Sequence, residues 1–190
     1  TDQSEKTFFK DILKLQHGCN LKISQNRVSA SQWYKLENNI NKSSIGPEEY
    51  YELFNSSIGL RLRSDVPIGV CLSGGLDSSS IVSTLIKEYN RSDLNTFSAI
   101  YSSGQTGDES TFIREYKSDL ESMHFVTPTA NNLLNDLDSF INAHGEPIPS
   151  TSPYAQFKVM ELAKNHVTVT LDGQGADESL AGYHYFFGYH

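Results

Sequence analysis

Apolar and polar side chains alternate from residue 7 to residue 34, "TFFKDILKLQHGCNLKISQNRVSASQWY", on either side of a polar "SQNR" turn. A period of two predicts a hairpin of half-buried strands. The pattern then stops: "KLENNINKSSIGP" is rich in Asn, Ser and Lys without periodicity, which predicts an exposed loop or linker over residues 36–47. From Glu48, "EEYYELFNSSIGLRLRS" places Tyr51, Phe54, Ile58 and Leu62 at the three-to-four spacing of an amphipathic helix. Beyond Asp65 two periods take turns. "VPIGVCL", "NTFSAIY", "MHFVTP" and "HVTVTL" read as short buried strands. "SSSIVSTLIKEY", "ESTFIREYKSDLE", "ANNLLNDLDSFINAH" and "YAQFKVMELAKN" read as the helices between them. Alternation of this kind with short connections predicts an α/β fold, a parallel sheet with flanking helices, preceded by a small β piece.

Composition narrows the class. The 190 residues suit one ordinary domain, or one domain with a piece of another. A balance of 15 Lys and Arg against 23 Asp and Glu, −8 in all, argues against a grip on nucleic-acid phosphates. Two cysteines, Cys19 and Cys71, lack CxxC spacing. Both are expected to be packed core thiols in a reducing, cytoplasmic setting rather than disulfide partners, zinc ligands or nucleophiles. No apolar run approaches the roughly 18 residues of a membrane span, and the polar start "TDQSEK" is no signal peptide. Phe8, Phe9 and Trp33 are expected in a core or an interface.

The chemistry gathers in "SGGLDSS", residues 73–79, at the end of the first predicted parallel strand. Ligands of such sheets lie beyond the carboxyl ends of the strands. Gly74 and Gly75 let the backbone turn tightly and bring N–H groups to an anion. Ser73, Ser78 and Ser79 add hydroxyl donors, and the next helix aims its positive N-terminal end at the same point. Phosphate is the ligand these groups suit. Asp77 would repel bare phosphate, so it fits best as a ligand of Mg²⁺ that the phosphates also bind. A simple helix cap would use the same residue types. No Lys follows the glycines, so the stretch is not the GxxxxGK[ST] loop of γ-phosphate transfer.

The heptapeptide resembles the pyrophosphate loop of the N-type ATP pyrophosphatases, enzymes of the adenine nucleotide α-hydrolase-like fold that cleave ATP between its α and β phosphates. A second stretch, "LDGQGADESLAGYHYF" at 171–186, follows the fourth predicted parallel strand. Together the two are similar to the synthetase domain of the glutamine-hydrolysing asparagine synthetases, over roughly Gly46 to His190. The N-terminal hairpin is similar to the last strands of the glutaminase domain that precedes it. The resemblance therefore implies three parts: 1–35, the end of a glutaminase-type domain; 36–47, a linker; and 48–190, the start of an ATP-binding synthetase domain.

What the resemblance implies for chemistry is adenylation of the aspartate side-chain carboxylate by ATP, with release of pyrophosphate. Ammonia drawn from glutamine then displaces AMP to give asparagine. Ser73, Gly74, Gly75, Asp77, Ser78 and Ser79 would hold pyrophosphate, and Asp77 and Asp177 would share Mg²⁺. Leu72 and Ala99 would line base and ribose, Asp172 and Gly173 would contact ATP, and Tyr183 would shape the acyl pocket. Asp108 would either support the metal or cap a helix. His184 and His190 receive no role, and a homodimer is compatible with the resemblance. Gln174 stands where the well-studied synthetases carry a Glu linked to adenylate formation, and residues 147–153 hold no arginine for phosphate. The synthetases' N-terminal cysteine and distal catalytic lysine do not occur, so a piece of this extent is expected not to turn over alone; Thr1 is a remote substitute nucleophile. Two readings stand beside the first: a β-lactam synthetase-like adenylating enzyme, and a non-catalytic nucleotide-binding or scaffold module.

Overall fold

A computed structural model describes residues 4–40, 45–101, 108–148 and 150–183. The N-terminal strands β1 (Cys19–Ser24) and β2 (Arg27–Gln32) pair antiparallel from Cys19↔Gln32 to Ser24↔Arg27, which leaves Gln25 and Asn26 as the turn. The hairpin is shorter than its sequence pattern; ahead of it only a Lys6↔Leu13 bridge continues the pairing. Register puts Leu21 opposite Ala30 and Ile23 opposite Val28, so apolar side chains share one face. That face is open: Ile23 is 71% and Val28 67% exposed. Phe8, Phe9 and Trp33 are likewise at least half exposed, which corrects their placement in a core. A two-stranded ribbon has no second layer to bury them. Cys19 is only half-buried, whereas Cys71 is buried as expected.

The remaining strands form one parallel sheet in the order β5-β4-β3-β6. They are β3 (Ile68–Cys71), β4 (Asn95–Ala99), β5 (Ser122–Val126) and β6 (Val169–Leu171). Helix α1 (Pro47–Arg61) precedes them, α2 (Leu76–Tyr89) follows β3, α3 (Ser110–Arg114) follows β4, and α4 (Ala130–His144) and α5 (Ser152–Ala163) separate β5 from β6. A five-residue α6 (Ala176–Leu180) follows β6. The parallel α/β sheet read from the pattern is therefore present. The third predicted helix winds up into a short 3₁₀ turn after Arg114, and the fourth strand begins only at Val169, because His166 and Val167 still bond back to Ala163.

Alternation along β3 splits the core in two. Ile68, Val70 and Leu72 pack with Val82 and Leu85 of α2 and Ile113 of α3, while Cys71 packs with Phe97 of β4 and Val159 and Ala163 of α5. Completely buried side chains such as Val70 and Leu72 contribute about 1.5–3 kcal/mol each. Gly69 shares the α5 face, where a Cβ would come within 2.5 Å of the Phe97 ring and 2.9 Å of the Asn95 carbonyl oxygen. Gly69→Ala is expected to lower the unfolding free energy by about 1–3 kcal/mol through overpacking, read from urea denaturation.

On the same face, the rings of His124 and His166 lie 3.9 Å apart, His124 stacks on Phe97, and His124 Nε2 meets Asn95 Oδ1 at 2.8 Å. Burial, then the charge of His166, holds His124 below the ordinary histidine value of 6.5. The unfolded chain takes up that proton first, so stability present above pH ~6.5 is lost as pH falls toward the folded value. The urea midpoint should fall between pH 7.5 and 5.5, and by less in His124→Gln.

Candidate functional site

The order of strand addition reverses between β3 and β6. The chain moves outward through β4 and β5, then returns to place β6 on the other side of β3, with Val70 beside Leu171. In an open parallel sheet, the crevice at such a switch point is where loops part and ligands fit. The two loops that leave it are "SGGLDSS" and "DGQGADES".

The first loop is braced from inside. The Ser73 N–H donates to Ser78 Oγ at 3.1 Å, the two hydroxyl oxygens lie 3.0 Å apart, and the Gly75 N–H donates to Ser73 Oγ at 3.2 Å. Gly74 takes φ +92°, and a Cβ there would strike the backbone of Glu109, so the tight turn needs glycine. Helix α2 starts from Gly75 with no side chain capping its first turn. The second loop is held by Asp172, which accepts the Gln174 N–H at 3.2 Å and the amide of Gln156, from α5, at 3.1 Å. Gly173 lets the loops touch: a Cβ there would lie 3.1 Å from both Asp77 Cβ and the Ser78 nitrogen.

Between them lies a cleft of about 180 Å³ walled by Ser73, Asp77, Ser78, Asp172, Gly173, Gln174 and Asp177, with Glu178 and Tyr183. It opens past Cys71, Ser73, Gln156 and Gln174 into a cavity of about 680 Å³ that Leu72, Phe97, Ala99 and His144 also line. Neither has a Lys or Arg among its described lining residues. A third hollow of about 800 Å³, between Phe9 and the Leu133–Ile141 side of α4, is apolar and meets neither motif. Gly74, Gly75 and Ser79 continue the same loop and the start of α2 next to this wall without being among its described lining residues; the Ser79 carbonyl accepts the Tyr116 hydroxyl at 3.1 Å. Asp108 lies one residue ahead of Glu109, the N-cap of α3, and accepts from the Ser110 N–H and hydroxyl at 3.2 and 2.9 Å, and Ser110 holds its carboxyl below the ordinary range. Thr1, His184 and His190 lie outside the described residues.

Electrostatics follow from the crowding. Burial, then the charges of Asp177 and Glu178, raise the Asp77 carboxyl above its usual value. The Tyr183 hydroxyl donates to Glu178 Oε1 at 2.5 Å and holds that carboxyl low. Cys71, buried beside Asp172, has its thiol pushed up to about 12, first by burial and then by that charge, so it is a poor nucleophile. Among the described residues no three His, Cys, Asp or Glu side chains are spaced to hold a metal unaided.

Residues 49–190 match the asparagine synthase family. The chain belongs to it. It is 34% identical over 140 residues to a protein of Methanocaldococcus jannaschii assigned as a glutamine-hydrolysing asparagine synthetase, covering 72% of this chain and 26% of that protein. It is 35% identical over 141 residues to glutamine-hydrolysing asparagine synthetase 1 of Bacillus subtilis, covering 73% of this chain and 22% of the relative. Amidase chry2 of Gibberella zeae is 25% identical over 201 aligned positions, 95% of this chain and 30% of its own length. This asparagine synthase family chain thus spans about a quarter of the length of these two curated synthetase relatives. No helix among its described residues is long and apolar enough to cross a membrane.

Gln156, His144 and Glu178 border the two cavities without having been singled out in the sequence. Gln156 and His144 stand in helical segments, His144 after β5 and Gln156 before β6, and carry no motif; only the packing of α5 on β4 and β5, with α4 against α5, brings them in. In Asp177→Asn, the Asp77 carboxyl should titrate lower than in the parent but still above an ordinary Asp, since burial persists; carboxyl-carbon NMR reads this directly.

Proposed function

We propose that the chain is the ATP-binding part of an amidotransferase that adenylates the side-chain carboxylate of aspartate and aminates it to asparagine. The observation that carries this reading is the facing of Asp77 and the Asp172–Asp177 loop across one cleft at the sheet's switch point. In the reaction, a carboxylate oxygen attacks the α-phosphorus of ATP and the bond to the β-phosphate bridging oxygen breaks, releasing pyrophosphate. Ammonia then attacks the acyl carbon, AMP departs with the C–O electron pair, and a proton is lost to solvent.

Mg²⁺ fits the residues present. A triphosphate cannot enter a cleft with four carboxylates and no Lys or Arg among its described lining residues without neutralisation, and Mg²⁺ is commonly held by one or two carboxylates together with substrate phosphates. Asp77 and Asp177 are the two we assign to it. When bound, it would neutralise the charge that keeps a carboxylate from approaching the α-phosphate. Ionising Asp77 in the folded chain costs stability as pH rises through its raised value, and a cation returns that stability. Ser73, Ser78 and the uncapped first turn of α2 orient the departing pyrophosphate, aided by the backbone of Gly74, Gly75 and Ser79. Leu72 and Ala99 border the base and ribose. Asp172, Gly173 and Gln174 stand at the α-phosphate, and Tyr183 closes the cleft.

We assign the hairpin, with its open apolar face, to a glutaminase-type domain ahead of the linker. Support comes from amidase chry2, whose likeness extends over 95% of the chain. Calorimetry should show ATP binding only with Mg²⁺, weakened at least about tenfold in Asp77→Asn. The complete protein should release AMP and pyrophosphate when given aspartate, and form asparagine with glutamine or ammonia. AMP release with a different carboxylate only would overturn the substrate; Mg²⁺-independent or absent ATP binding would overturn the site.

A further inference from the structure

The two connected cavities are unlike at their ends. Four residues, Cys71, Ser73, Gln156 and Gln174, border both and mark the junction. The carboxylates lie on one side of it. On the other side the wall is apolar: Phe97, Ala99, Phe157 and Met160, with hydroxyls from Ser150 and Ser152. That chamber suits a flat, weakly charged ring rather than a phosphate. Among its described lining residues beyond the junction, the one titratable side chain is His144, the exposed last residue of α4.

The state of that imidazole is fixed by its neighbour. His144 Nδ1 lies 3.0 Å from the backbone carbonyl oxygen of Phe140, one turn back on its own helix. A carbonyl oxygen only accepts, so Nδ1 carries the hydrogen. In the neutral ring Nε2 then carries the free lone pair. The ring stands edge-on to Phe140, at 73° with centroids 4.7 Å apart, and Gly145, at φ +70°, ends the helix after it. We propose that His144 Nε2 accepts a hydrogen bond from the exocyclic amine of a 6-aminopurine, so that this residue selects adenine over 6-oxopurine nucleotides. A 6-oxo group would set two acceptors against each other at this exposed ring. The selection rests on the ATP reading above and adds the side chain that enforces it.

The test compares Mg²⁺–ATP with Mg²⁺–ITP, which has oxygen in place of the amine, on the protein and on His144→Phe, which keeps the ring against Phe140. Calorimetry should give ATP about tenfold tighter than ITP in the parent. In His144→Phe the ratio should fall to near one through weaker ATP binding, with ITP unchanged. A preserved ratio in the folded variant, or equal affinities in the parent, overturns the role of His144 while leaving the nucleotide site intact. Failure of the parent to bind either nucleotide overturns both. Should His144→Phe not fold, long-range ¹H–¹⁵N NMR of the parent decides: the His144 Nε2 resonance moves upfield with ATP and stays with ITP, and a resonance unmoved by ATP overturns the proposal.

Discussion

Two parallel strands side by side, β3 and β6, set everything that matters chemically in this chain. Their register places Val70 beside Leu171, so each chain leaves the sheet at the same level, and the next few residues of each must share one crevice. Gly173 allows the close approach, and the outcome is a concentration of negative charge with no Lys or Arg among the cleft's described lining residues. Burial first, and then that charge, raise the affinity of Asp77 for a proton. A proton is the least of the cations that could relieve that field; a divalent ion bridging to phosphate does so more completely.

Around this point the fold supplies rigidity rather than charge. Serine hydroxyls and the Gly75 N–H cross-brace the first loop, and Asp172 ties the second to α5 through Gln156. Helix α5 is anchored in turn on α4, where the buried Tyr154 hydroxyl and the Lys158 ammonium both donate to Asp136, at 2.6 and 3.0 Å. Phe140 packs edge-on against Tyr154 and Phe157 in the same contact. The far wall of the larger chamber is therefore a packed pair of helices, which holds Gln156 and His144 in place relative to the sheet.

Most of the fold was legible in sequence because buried parallel strands are short continuous apolar runs, and "VPIGVCL" and "NTFSAIY" contain β3 and β4 almost as read. Strand order was not. Nothing in local pattern tells that β6 inserts beside β3 instead of adding beyond β5, and that choice alone brings the two motifs together. The hydrophobic period in the N-terminal segment was real, but Phe8, Phe9 and Trp33 stay exposed, since a ribbon of two strands offers no opposing layer. At the site, residues in Gly- and Asp-rich turns could be picked out by their chemistry. Gln156 and His144 could not, because an isolated amide or imidazole on a helix gains meaning only from what it faces.

The central claim, one divalent ion held jointly by the two loops and the nucleotide, is open to a direct measurement. With Mn²⁺–ATP in place of Mg²⁺–ATP, paramagnetic broadening should erase the side-chain carboxyl-carbon signals of both Asp77 and Asp177, while those of Asp108 and Asp136 stay sharp. Loss of only one of the first pair, or of neither, would contradict it.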